Sequence, residues 1–147
     1  MEKVNLDWLA SSIFLMIASA EITDHYLTEE EIITIIVKGE GLASKFDFEG
    51  VSFNSKQVAE KFNSAFEWYN TVGDNAPKGK LNAHILQEVY TIANSLKEKS
   101  WFSDEFAQTL LNDLISIAKA DDELINNEKK FINSIASQWN LSTPFDV

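Results

Sequence analysis

Apolar residues recur every three or four positions along most of this chain. The clearest run lies near its end. Leu110, Leu111, Leu114, Ile117 and Ala118 share one helical face, and Phe131, Ile132, Ile135, Ala136 and Trp139 share a second. Asp121, Asp122, Glu123, Asn126, Asn127 and Glu128 sit between the two stripes. The pattern predicts a helix, an acidic turn and a helix ending near Leu141. Two helices cannot bury their stripes alone, so this hairpin must pack on the rest of the chain.

The same spacing recurs upstream. A first helix is predicted from about Asn5 to Ala20, with Leu6, Leu9, Ile13, Met16, Ile17 and Ala20 as its inner face. After the polar turn 21–26, Thr28-Glu-Glu-Glu31 reads as a capping box, in which Thr28 and Glu31 exchange bonds with each other's amides. The helix it opens carries Ile32, Ile33, Ile35, Ile36 and Val37 and is expected to stop near Gly39 or Gly41. Residues 42–54 alternate weakly through Phe46, Phe48, Val51 and Phe53, which fits a packed loop better than a strand. Ser55 is the expected cap of a third helix reaching about Thr71, with Val58, Phe62, Ala65, Phe66 and Tyr69 inward. Trp68 falls off that face and marks a candidate partner surface. Val72–Gly79 reads as a loop, and a fourth helix follows from about Leu81 to Lys97 with Ile85, Leu86, Val89, Ile92, Ala93 and Leu96 inside. Ser103 caps the fifth helix, just after Trp101 and Phe102. The expected fold is all-α, one domain of about six or seven helices.

Length and composition fit that picture. With 147 residues, of which 45% are apolar, the chain can bury a sizeable single core, and five Gly and two Pro interrupt it little. Charge narrows the partners. The net charge is −11, with 23 acidic residues against 12 basic ones, every one of them lysine. Phosphate backbones need clustered cations, so direct nucleic-acid binding is disfavoured; metal cations, basic proteins or plain solubility suit an acidic face. With no cysteine there is no disulfide, thiolate ligand or thiol nucleophile. The run Leu9–Ala20 imitates an export signal, but Glu2 and Asp7 precede it and it is too short to span a bilayer. No membrane span is expected, and the location expected is cytoplasmic.

The pattern also repeats. Ile17-Ala-Ser-Ala20 matches Ile117-Ala-Lys-Ala120; each precedes an acidic turn, a leucine (Leu27 or Leu124) and a helix start with Glu31 or Glu128. A weaker third copy begins at Ile92. Two similar helical halves related by a pseudo-two-fold repeat are therefore expected. The run Ile117-Ala-Lys-Ala-Asp-Asp-Glu-Leu124, then Glu128 and Phe131-Ile-Asn-Ser-Ile-Ala136, resembles the tellurite-resistance TerB-like family. That family's Gly is Asp122 here, and the first copy has Glu21-Ile22 for Asp-Gly. The resemblance implies two similar helical halves, an acidic surface that binds divalent cations, and a role in stress response or as an adaptor. The same fold is found at the N-terminus of a DnaJ-like membrane co-chaperone.

Oxygen-rich turns suit hard cations, so Asp121, Asp122, Glu123 and Glu128, with Glu21, Asp24 and Glu31 from the first copy, are the candidate metal ligands. Ca²⁺ or Mg²⁺ is favoured over Zn²⁺, because His25 and His84 lack zinc spacing. His25 reads as an accessory ligand or as a surface histidine. The same acidic residues are also the ordinary chemistry of caps and turns, and both readings stay open. An EF-hand is excluded, since twelve positions counted from Asp121 end on Ile132. No nucleophile–base motif, phosphate loop or dinucleotide fingerprint appears, so an enzyme is not expected. The function expected is a non-enzymatic domain binding a divalent cation, a protein partner or both through its acidic turns. The partner would be basic or part of a membrane-associated complex. The alternative is a metal-independent acidic adaptor or nucleic-acid mimic.

Overall fold

Helix α1 (Trp8–Glu21) is the axis on which the other helices are laid. It is followed by α2 (Glu29–Lys45), α3 (Ser55–Asp74), α4 (Leu81–Lys97), α5 (Asp104–Ala118) and α6 (Asn126–Gln138). Short 3-10 turns lie at Phe48–Gly50 and Lys119–Asp121. The computed structural model describes residues 6–21, 26–121 and 124–146, apart from the side chains of Glu49 and Asp121. Among the described residues there is no strand, and the buried side chains form one hydrophobic core. The protein is an all-α single domain.

All of α1 except Ala20 is buried, a correction to the single inner face expected of it. Phe14, Leu15 and Ala18 are as enclosed as Leu9, Ile13 and Met16. A helix apolar on every side belongs inside a core or a membrane. Here α1 touches each of the other five helices, and no helix among the described residues is long and apolar enough to cross a membrane. Two of its three serines bond to backbone carbonyls. Ser12 donates to the Trp8 carbonyl and Ser19 to the Leu114 carbonyl of α5, each at 2.8 Å. The helix starts where Asp7 Oδ1 accepts the Ala10 amide at 2.8 Å, while Asp7 Oδ2 pairs with Lys61 of α3, also at 2.8 Å.

The capping box of α2 forms as its sequence predicts. Thr28 Oγ1 accepts the Glu31 amide at 3.1 Å, and the Thr28 amide donates to Glu31 Oε1 at 2.8 Å. The helix does not stop at Gly39 or Gly41; it continues to Lys45. Gly39 is a contact point rather than a terminator. A Cβ there would sit 3.3 Å from both Ile13 Cδ1 and Val58 Cγ1, so the missing side chain lets α2 lie close against α1 and α3.

Residues 46–53 form a packed loop around a 3-10 turn. Their aromatic rings close one end of the bundle. Phe48 stacks on Trp101 with centroids 3.9 Å apart, and Trp8 meets Phe48, Phe53, Trp101 and Phe106 edge-on. Such pairs add about 0.5–1.5 kcal/mol each beyond the area they bury.

Helix α3 is capped by Asn54, not Ser55. Asn54 Oδ1 accepts the Gln57 amide at 2.9 Å, and Gln57 Oε1 accepts the Asn54 amide at 2.8 Å. Ser55 instead donates to Glu40 Oε2 of α2. The helix runs on to Asp74. Trp68, expected on the outside, is buried, and its indole N–H donates to Glu88 Oε2 of α4 at 2.7 Å. The reason is that α3 lies against both α1 and α4, so two of its faces are inside.

The chain ends in linked clasps. After α6, Asn140 adopts φ 59°. Leu141 then donates to the Ala136 carbonyl at 2.8 Å and Asn140 to the Ser137 carbonyl at 3.1 Å, the paired bonds of a Schellman cap. The Trp139 indole N–H reaches the Ala93 carbonyl of α4 at 3.0 Å. Asn133 ties down the tail by donating to the Phe145 carbonyl at 2.7 Å and accepting its amide at 3.2 Å.

The first and last hairpins do not have equivalent surroundings. Helix α1 is enclosed by all its neighbours, whereas α5 packs mainly on α1, α2 and α6.

Candidate functional site

Three of the nominated carboxylates have described side chains. Glu21 closes α1 at 3% exposure, and Glu31 opens α2 at 6%. Among the described residues these are the two buried carboxylates. Burying an ionised carboxylate is costly unless hydrogen bonds or a cation offset it. Glu31 meets part of that need through the Thr28 amide. A carboxylate has about four acceptor sites, so one amide does not exhaust it.

Glu128 repeats the role in the last hairpin. It lies in the first turn of α6, and its Oε1 accepts the Ile125 amide at 3.0 Å. In both hairpins the carboxylate three residues past the turn clamps the amide entering the helix, where the helix dipole also favours it. The Asp121 backbone closes the 3-10 turn after α5. The side chain of Asp121, together with Asp24, His25, Asp122 and Glu123, lies outside the described residues. Among the described residues, no three His, Asp or Glu side chains are grouped so as to hold a metal ion.

A polar seam that the sequence reading passed over joins α2 to α5. Lys38 lies 3.9 Å from Asp113, and Lys45 lies 3.6 Å from Glu105 and 3.3 Å from the Thr109 hydroxyl. Burial pushes the Asp113 carboxyl above its ordinary value of 3.8, and Lys38 and Lys45 partly oppose the rise. The signal was present in the chain, since Glu105, Thr109 and Asp113 recur every four residues on one face of α5.

Two cavities among the described residues have mixed polar and apolar walls. One, of about 280 Å³, lies between α4 and α6, with Leu86, Tyr90 and Phe131 among its walls and Asn82, Asn127, Lys130 and Ser134 as polar lining. The other, of about 250 Å³, is lined by Asp7, Trp8 and Ser11 at the start of α1 and by Ser95, Leu96 and Lys99 at the end of α4. Trp8 is buried, and its indole N–H has no acceptor among the described residues. A cavity of this size with several polar groups is large enough for ordered water.

Compared with known proteins, the chain matches no family model, no curated protein and no solved structure. Function must therefore be argued from the residues themselves.

Proposed function

We propose that this chain is a non-enzymatic TerB-like domain that binds a divalent cation at the acidic end of its first hairpin and, with it, a protein partner. The observation that supports this reading most is the burial of both Glu21, at the end of α1, and Glu31, in the first turn of α2. A chain of net charge −11 attracts cations, and the Glu31 carboxylate has acceptor sites beyond the one taken by the Thr28 amide. Oxygen donors of this kind suit Ca²⁺ or Mg²⁺. The stress-associated role and the pseudo-two-fold relation of the halves belong to the same proposal and rest on the motif Ile117–Glu128 and its earlier copy.

Titration calorimetry with Ca²⁺ and with Mg²⁺ tests the cation part. The wild type is expected to bind one of them saturably, and Glu21→Gln plus Glu31→Gln to lose that binding. Glutamine keeps an amide acceptor for Thr28 while removing the charge. Binding unchanged in the double variant would refute the site.

A second reading, an adaptor independent of metal, is favoured by a different observation. Tyr26, Ile33 and Val37 are 67%, 60% and 57% exposed. Retention of a partner in excess EDTA would move the function to this reading.

A further inference from the structure

Helix α2 presents a strip that its packing on the other described residues does not use. Ile35, Gly39 and Leu42 point into the core. Lys38 and Lys45 mark the flank turned to α5, through their ion pairs with Asp113 and Glu105. Glu40 marks the flank turned to α3, where it accepts the Ser55 hydroxyl. At 100° per residue, the outward line between those flanks runs through Glu30, Ile33, Val37, Gly41 and Ser44. Each of these is exposed. A Cβ added at Gly41 would meet nothing within 4 Å, so a partner backbone could come close there. The strip is thus apolar at its centre, open at Gly41 and acidic at its start, where Glu29 and Glu30 occupy the first turn.

We propose that this outer face of α2 docks an amphipathic, lysine- or arginine-bearing helix of another protein, whose apolar residues lie on Ile33 and Val37 and whose cations meet Glu29, Glu30 and Glu40. Charge selects the occupant. The two lysines on the α5 flank are already paired with carboxylates of α5, which leaves the negative charge of α2's opposite flank and first turn for the incoming helix. A second copy of this chain would bring a further net charge of −11 to the same face and be repelled. An amphipathic helix laid along i and i+4 anchors matches the spacing of Ile33 and Val37. This surface goes beyond the cation proposal and does not depend on it.

The probe is a synthetic Leu/Lys peptide about five turns long with its leucines on one face, beside a peptide of the same composition with the leucines dispersed around the helix. Binding is followed by anisotropy in EDTA at about 0.15 M salt, where surface charge alone is well screened. The amphipathic peptide is expected to bind saturably and about tenfold more tightly than the dispersed one. Ile33→Ser plus Val37→Ser is expected to remove that difference with the helical spectrum unchanged. Amide shifts on titration should centre on residues 30–44. Equal binding of both peptides, shifts centred elsewhere, or full binding by the Ser variant would overturn the proposal. So would self-association of the wild type that the Ser variant loses, which would assign the strip to a second copy.

Discussion

Gly39 and Gly41 lie two residues apart in one helix and offer a controlled test of how α2 is packed. Replacing a mid-helix glycine with alanine gains about 1 kcal/mol from reduced backbone entropy in the unfolded chain. At Gly41 nothing opposes that gain, because a new Cβ there has no neighbour within 4 Å. Gly41→Ala is therefore expected to stabilise by about 0.5–1 kcal/mol, a rise of about 2–4 °C in Tm for a domain of this size. At Gly39 the new Cβ meets Ile13 Cδ1 and Val58 Cγ1 at 3.3 Å and Ile13 Cγ1 at 3.5 Å. Ile13 and Val58 are themselves buried at 0% and 1% exposure, so neither can swing into solvent. Crowding of a filled core costs about 1–3 kcal/mol, which cancels or exceeds the helix gain. Gly39→Ala should thus be neutral or destabilised by up to about 2 kcal/mol, and Gly39→Val more so. Urea unfolding followed by circular dichroism measures the difference. If Gly39→Ala is stabilised as much as Gly41→Ala, the close approach of α2 to α1 and α3 is wrong.

Two further predictions follow from the seam and the final cap. Asp113 has its carboxyl raised in the folded state by burial, so the folded protein holds that proton more tightly than the unfolded chain. Stability linked to Asp113 is therefore greatest below the ordinary value of 3.8 and falls as pH rises through the raised one; Asp113→Asn should flatten that part of a Tm-versus-pH curve and raise Tm at neutral pH. Asn140 sits at φ 59°, where glycine is at ease and alanine is not; Asn140→Gly should leave Tm unchanged or higher, whereas Asn140→Ala should cost about 1 kcal/mol in urea unfolding.

Local chemistry was legible in the chain, and what depends on neighbours was not. Thr28 and Ser103 could be named as caps because a cap needs only its own helix start, and both accept the expected amide. Gly39 looks like a stop in sequence because no pattern shows that Ile13 and Val58 will press against it. Trp68 falls outside any single apolar stripe, which assumes one buried face, whereas α3 is buried on more than one. The same assumption understates α1, whose Ser12 and Ser19 look polar in sequence but return their bonds to the Trp8 and Leu114 carbonyls. Five apolar residues within Ile32–Val37 do not say which of them face in; Ile35 is buried, whereas Ile33 and Val37 face out. In the candidate site, the capping roles of Glu31 and Glu128 followed from spacing, whereas the burial of Glu21 came only from the packing around α1.

The most direct test of the cation proposal is the melting temperature in excess EDTA, then with Ca²⁺, Mg²⁺, Mn²⁺ and Zn²⁺ added singly. Occupancy of a site at about a hundred times Kd contributes about 2.7 kcal/mol. The account predicts a rise of several degrees with Ca²⁺ or Mg²⁺, absent from the Glu21→Gln plus Glu31→Gln variant. No rise with any ion, or an equal rise in the variant, would contradict it.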